Sequence, residues 1–324
     1  MIPKKINSLQ ADKLRLINLL EPDFNFLNGM VSRKFMKAAE RNNLIAKEQF
    51  GSRKGHSAIE HAINKVLTMD YFRVAKISAI VCANDAKSCY DRIVLRAAFL
   101  ALRAMGIPAP TINSMFSTIK RMEHFTRTAF GTSNTKYGGK NEELDPDGVL
   151  QGNAFGPGIW VGVSTPILQM MRGKDYGVKF LQILSNEISH ICGFAFVDDA
   201  DIVQAGEPGE SRTTLLLKAQ AALNAWEEGI YATGGALVPT KSDWVMIDYK
   251  WRGTEWNYTG MQKDEKMKVK NSQRIEEPLQ QLCHSTGRLT LGVHIAPDGN
   301  WRDERNYLND KAKQWAANIR ESNI

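Results

Sequence analysis

The 324-residue chain has only four cysteines, Cys82, Cys89, Cys192 and Cys283, and no pair with C-x-x-C spacing. That excludes the common zinc modules and a disulfide framework, and scattered thiols suit a reducing, intracellular compartment. No apolar run approaches the roughly 20 residues needed to span a bilayer. The stretch 77–83 is among the longest. Lys4-Lys5 are not followed by an apolar segment, so no secretory signal is read. The expected location is intracellular and off the membrane. There is no internal repeat or low-complexity tract. Neither G-x-x-x-x-G-K-[ST] nor G-x-G-x-x-G occurs, which speaks against the familiar phosphate-binding loops.

What is present reads as globular. Hydrophobic residues make up 43% and charged residues 24%, ordinary usage for a packed protein of about two domains. The net charge is +7 and the pI near 9.1, a lean toward polyanionic partners. The first 60 residues carry 11 Lys+Arg against 6 Asp+Glu, so most of the surplus sits at this end. Helices are expected over 35–42, from Ser57 to about Met69, and over 93–105, 112–122, 159–171, 211–230 and 303–320. Strands are expected at 76–83, 192–197, 202–204, 243–248 and 288–295, with a hairpin over 125–139. Residues 140–147 and 251–274 read as loops.

The sharpest chemical feature is a pair of acidic strand ends. Asp85 closes the apolar run 76–83. Asp198-Asp199 sit in the turn between two β-prone runs. Adjacent carboxylates repel, and burial raises their cost. A divalent cation removes both penalties, and Mg²⁺ takes one or two carboxylates plus substrate phosphates. Two such ions about 3.5–4 Å apart serve in-line phosphoryl transfer. The same acids would also suit a solvated turn. Asp201 is read as a turn or surface residue.

Several further segments follow in a fixed order. Asp85-Ala86-Lys87-Ser88-Cys89-Tyr90-Asp91 fits D-x-x-x-x-[FY]-D. Leu150-Gln151-Gly152-Asn153-Ala154-Phe155-Gly156-Pro157 precedes a helix, and Phe196-Val197-Asp198-Asp199 fits [YF]-x-D-D. Ala232 to Lys241 and Leu289-Thr290-Leu291-Gly292-Val293 come after them. Leu14-Arg15-Leu16-Ile17-Asn18-Leu19-Leu20 and Glu48-Gln49-Phe50-Gly51-Ser52-Arg53-Lys54-Gly55 come before. Together, from about residue 13 to 315, these resemble the motifs of reverse transcriptases of non-LTR retrotransposons.

The resemblance implies an α/β (α+β) right-hand palm, with a small antiparallel sheet backed by helices. It divides the chain into partial fingers (1–70), palm (71–250), a connection with the primer-grip hairpin (251–302) and a thumb stub (303–324), an element truncated at both ends. It implies that Asp85, Asp198 and Asp199 hold two Mg²⁺ ions, with Mn²⁺ able to replace them. Tyr90 would gate the sugar, Gln151 and Gly152 support the nascent pair, and Arg15 contact the triphosphate. Lys241 would protonate pyrophosphate, and Leu291-Gly292 grip the primer. The 48–55 segment would place a basic loop near template or nucleotide. The implied partners are an RNA template, a DNA primer and dNTPs, and the implied activity is RNA-directed DNA synthesis from a retroelement. Tyr90 also suits a core aromatic and Lys241 a surface lysine. The alternative is an inactive, truncated remnant that still binds nucleic acid.

Overall fold

The computed structural model describes residues 17–87, 89–139, 148–181 and 185–322, together with the backbone of two short paired strands, β1 (Ile2–Pro3) and β2 (Leu14–Arg15). Helix α1 (Pro22–Arg41) starts on a proline, whose missing N–H costs nothing in a first turn. Helix α2 (Ala58–Ala75) starts on a capping box. Ser57 Oγ accepts from the Glu60 N–H at 3.2 Å, and the Glu60 carboxylate accepts from the Ser57 N–H at 2.9 Å. Next come β3 (Ala79–Asn84), α3 (Cys89–Arg92), α4 (Leu95–Ala104), α5 (Ala109–Arg121) and the hairpin β4 (Glu123–Thr128) and β5 (Gly131–Gly138). Helix α6 (Gly156–Gly173) precedes two hairpins, β6 (Val178–Leu181) with β7 (Ile188–Ile191), then β8 (Gly193–Phe196) with β9 (Asp199–Ala205). Helix α7 (Arg212–Ala232) and a 3₁₀ turn at Pro239–Lys241 lead into β10 (Asp243–Ile247). Short strands follow, β11 (Tyr249–Arg252), β12 (Glu255–Tyr258), β13 (Lys268–Lys270), β14 (Glu276–Pro278), β15 (Gln280–Leu282), β16 (Arg288–Thr290) and β17 (Val293–Ile295), before α8 (Arg302–Glu321).

The centre is a five-stranded sheet in the order β15-β10-β3-β9-β8. Its pairs are antiparallel, as expected, with one parallel pair, β10–β15, added at an edge. Both faces are covered. Side chains alternate along a strand: Ile80, Cys82, Ile202, Trp244 and Met246 join the core formed with α4, α6 and α7, while Ala79, Val81, Val203, Val245 and Ile247 pack with Ala62, Met69 and Phe72 of α2 and Ile295 of β17. This explains why every residue of β3 is buried. Helix α6, apolar on nearly all sides, runs through the larger core with Trp160 and Leu168 sequestered.

Most expected elements are present with shifted ends. Helix α1 begins well before residue 35, and 251–274 contains strands rather than loop alone. Residues 140–147 lie outside the described residues. Among the described residues, no helix is long and apolar enough to cross a membrane.

Candidate active site at the ends of three strands

Register brings the acids together. In the β3–β9 ladder Asn84 faces Ala200, so one step beyond it Asp85 meets Asp199. The β3–β10 ladder ends with Ala83 facing Asp243, and Lys241, in the 3₁₀ turn just before β10, donates from Nζ to Asp85 Oδ2 at 2.8 Å. Asp85 beside Asp199 thus continues the β3–β9 pairing, while Lys241 reaches Asp85 from the 3₁₀ turn just before β10. The Asp85 backbone is pinned on both sides: its N–H donates to Ser242 Oγ at 3.2 Å, and its carbonyl accepts from the Val238 N–H at 2.9 Å.

Asp198 lies in the two-residue tip Val197–Asp198 that joins β8 to β9, where Phe196 faces Asp199. The tip has a positive φ of 57° at Val197 and none at Asp198. A hairpin of that pattern prefers glycine at the first position, and a β-branched residue there is strained. Asp199 keeps a solvent-facing side, yet its carboxyl is held above the ordinary range by partial burial and then by the charges of Asp198, Asp201 and Asp85. Burial, and then the nearby Asp198 carboxylate, pushes the Cys89 thiol up. Burial, followed by Cys89 and Asp198, pushes the Tyr90 phenol up.

The 148–155 loop closes the other side. The Tyr90 carbonyl accepts from the Val149 N–H at 2.8 Å, and Asp91 Oδ1 accepts from the Gln151 N–H at 2.9 Å. The Gln151 carbonyl accepts from the Asn18 N–H at 2.7 Å. Gly152 has φ +118°, and a Cβ there would stand 2.2 Å from the Asn18 carbonyl oxygen, so only glycine fits. Asn25 and Asn28 of α1 fasten the loop through Gly152, Asn153 and Ala154. The Tyr90 ring stands against Gly156, at the start of α6.

The remaining predicted residues are more distant or undescribed. Leu291 and Gly292 form the tip of the β16–β17 hairpin, both at positive φ, as a two-residue turn requires. Arg15 lies in β2, and its side chain is outside the described residues, as is Ser88. Arg53 forms a fork with the Glu40 carboxylate, at 2.6 and 2.8 Å, and also donates to the Gln49 carbonyl, so its guanidinium is engaged within the protein.

Asp201 needs correction. It is a buried strand residue, not a surface one, because its position in β9 faces α2. Lys65 Nζ donates to its Oδ2 at 2.6 Å, Arg288 lies 3.5 Å from Oδ1, and Lys65 also reaches Thr290 Oγ1 at 3.0 Å. Burial alone would raise the Asp201 carboxyl, but Lys65 and Arg288 outweigh it and hold it below the usual range. Lys65 was not foreseen, since one lysine in an amphipathic helix carries no local signal of a buried partner.

Next to this cluster, His61 is enclosed by Phe50, Phe194 and Phe196. Burial lowers its pKa from 6.5 to about 4. The unfolded chain therefore takes up a proton first as pH falls. The contribution of His61 to stability is full above pH 6.5 and is lost between 6.5 and about 4, by about 3 kcal/mol. Urea unfolding measured across that range should show this decline, and His61→Leu should flatten it. An unchanged slope in the variant would refute the assignment.

The donor set suits a hard cation. Asp85, Asp198 and Asp199 offer carboxylate oxygens, and the raised Asp199 carboxyl records repulsion that a cation would relieve. The Lys241 ammonium is the cation that Asp85 already has. Among the described residues, no group of three or more His, Cys, Asp or Glu side chains is poised to enclose an ion unaided.

A sequence model of the family described as reverse transcriptase (RNA-dependent DNA polymerase) matches residues 2–290. No curated protein sequence matches. Solved structures that resemble the chain include telomerase from Candida tropicalis in complex with the TWJ fragment of telomeric RNA, at 13% identity and TM-score 0.42, covering 68% of this chain and 33% of that one. Apo telomerase from Candida tropicalis matches at 12% identity and TM-score 0.44, covering 78% and 40%. Telomerase from Candida albicans in complex with the TWJ fragment matches at 10% identity and TM-score 0.40, covering 78% and 38%. The chain spans less than half the length of each of these structures. Since the family match runs over residues 2–290 and includes every strand of the central sheet, the chain belongs to the reverse transcriptase (RNA-dependent DNA polymerase) family.

Proposed function

We propose that the chain catalyses template-directed nucleotidyl transfer, copying RNA into DNA, and that it derives from a retroelement of the non-LTR type. The observation that carries this reading is the convergence of Asp85, Asp198, Asp199 and Lys241 on adjacent strand ends within a chain of this family. Residues 71–250 serve as palm, 1–70 as partial fingers, 251–302 as connection and primer grip, and 303–324 as the start of a thumb.

Asp85 and Asp198, assisted by Asp199, would hold two Mg²⁺ ions, which when bound supply charge neutralisation at the transferred phosphate. The protein groups do the rest. The primer 3′-OH attacks the α-phosphate of a dNTP laid over the β3 end. Lys241, already beside Asp85, holds the proton that the departing pyrophosphate takes. The Tyr90 ring, backed by Gly156, walls the sugar and rejects a 2′-OH. The backbone at Gln151-Gly152, fastened to Asn18 and Asn25, supports the nascent pair. Arg15 meets the triphosphate, and the Leu291–Gly292 turn carries the primer.

The test is extension of a DNA primer on a homopolymer RNA template with dNTPs. Extension is expected with Mg²⁺ or Mn²⁺ and is expected to stop on chelation. A folded chain that binds RNA in a salt-sensitive way but extends nothing with either ion would favour the inactive remnant.

A further inference from the structure

Gln49 lies in a segment that the sequence motifs single out and the site above leaves unused. Its side chain is fully buried. Its amide oxygen accepts from the Val197 N–H at 2.8 Å and the Gly51 N–H at 3.0 Å. Its amide nitrogen donates to the Val197 carbonyl at 3.2 Å and to Ser164 Oγ at 3.4 Å. All four hydrogen-bonding positions of the side chain are thus filled, two of them by one residue. That residue is Val197, the positive-φ valine next to Asp198. The Val197 carbonyl also accepts from the Trp160 indole N–H. Gly51 closes the remaining side, since a Cβ there would stand 2.3 Å from the Val197 nitrogen. Residues 48–50 run along the edge of β8, with Ala195 N–H donating to the Glu48 carbonyl and Phe50 N–H to the Ala195 carbonyl, each at 2.8 Å.

A β-branched residue persists in such a conformation only where its surroundings over-determine it. Here the determinants come from two other parts of the chain, the 48–51 segment and α6. We infer that Gln49, with Trp160, is a positioning residue: it clamps the strained Val197 peptide and so aims Asp198 at the site. This deepens the proposed nucleotidyl-transfer reading and rests on it. Outer partners that orient a metal ligand typically matter by about 10–100-fold in affinity, which sets the size of effect to look for.

The test compares wild type with Gln49→Met, which keeps the volume and removes the amide, and Trp160→Phe, which removes one donor and guards against a Gln49 variant that does not fold. Three readouts are taken: hydrogen exchange at the Val197 amide, direct Mn²⁺ binding, and the Mg²⁺ concentration giving half-maximal primer extension. In either folded variant, Val197 exchange is expected to quicken at least tenfold, and Mn²⁺ affinity to fall about tenfold or more. The half-maximal Mg²⁺ concentration is expected to rise in parallel. In a Val197→Gly background, where the tip is no longer strained, the penalty of Gln49→Met is expected to shrink. Unchanged exchange, or unchanged Mn²⁺ affinity with faster exchange, overturns the inference. A wild type that neither binds Mn²⁺ nor extends a primer overturns the functional reading and the positioning role with it. Faster exchange would then mark a structural clamp only.

Discussion

Asp198→Ala is expected to lower primer extension at least 10³-fold at saturating Mg²⁺, about 4 kcal/mol in the barrier. The carboxylate stands at the β8–β9 hairpin tip beside Asp199, which continues the register with β3 toward Asp85. The fold should not suffer. Removing Asp198 relieves one of the charges that raise the Asp199 carboxyl, so thermal stability should hold or rise slightly. Lys241→Ala is the instructive companion. The lysine is largely exposed and reaches Asp85 from the 3₁₀ turn before β10, and a positioned proton donor contributes about 10²–10⁴-fold. Lys241→Ala should therefore lower extension about 10²–10⁴-fold. Extension by Asp198→Ala within tenfold of wild type would sink the carboxylate assignment.

The second large effect is on stability. Lys65→Met should cost about 3–5 kcal/mol, the usual consequence of removing one partner of a buried ion pair. The side chains of Lys65 and Asp201 are only 3% and 7% exposed, and the longer Arg288 contact at 3.5 Å is a partial substitute. Lys136→Met breaks an ion pair with Glu123 in which both side chains are about half exposed, and should change stability by less than about 1 kcal/mol. Acid sensitivity separates the two further. Asp201 has a folded pKa below its ordinary value, so its stabilising contribution is present above the unfolded carboxylate range and is lost as pH falls through the folded pKa. Without Lys65 the folded pKa rises, and that loss should move to higher pH. Urea titrations of both variants at neutral and acidic pH measure this. Equal losses for Lys65→Met and Lys136→Met would refute the buried-pair account.

Much of the site was legible in the linear pattern because it is built from local chemistry. The apolar run ending at Asp85 forms a strand, since a short β-rich segment between polar breaks can do little else. Ser57 and Glu60 mark a helix start at fixed spacing, and Leu291-Gly292 mark a tight turn. The order of motifs did the rest, and placed Asp85, Asp198, Asp199 and Lys241 in one reading. The hairpin β11–β12 was missed, although its aromatics hold the signal: Tyr249 pairs with Tyr258 and Trp251 with Trp256 across a Gly253 turn.

Other features had no local signal. The parallel pairing of β15 with β10 depends on where the chain returns after four intervening strands. Asp201 looks like its acidic neighbours in sequence and shares a face of β9 with Asp199, but it lies one pair deeper in the sheet, where Lys65 of α2 arrives from 136 positions away. Gln49 binds Val197 across 148 positions. Composition, period and turn chemistry are set by neighbours along the chain, and these marked most of the elements, while the order of motifs singled out the candidate acids. Which acid stays at the open strand ends and which is buried against Lys65 was decided by strand register and by packing of α2 and α6 on the sheet, because the contacts that distinguish them are all made between segments far apart in sequence.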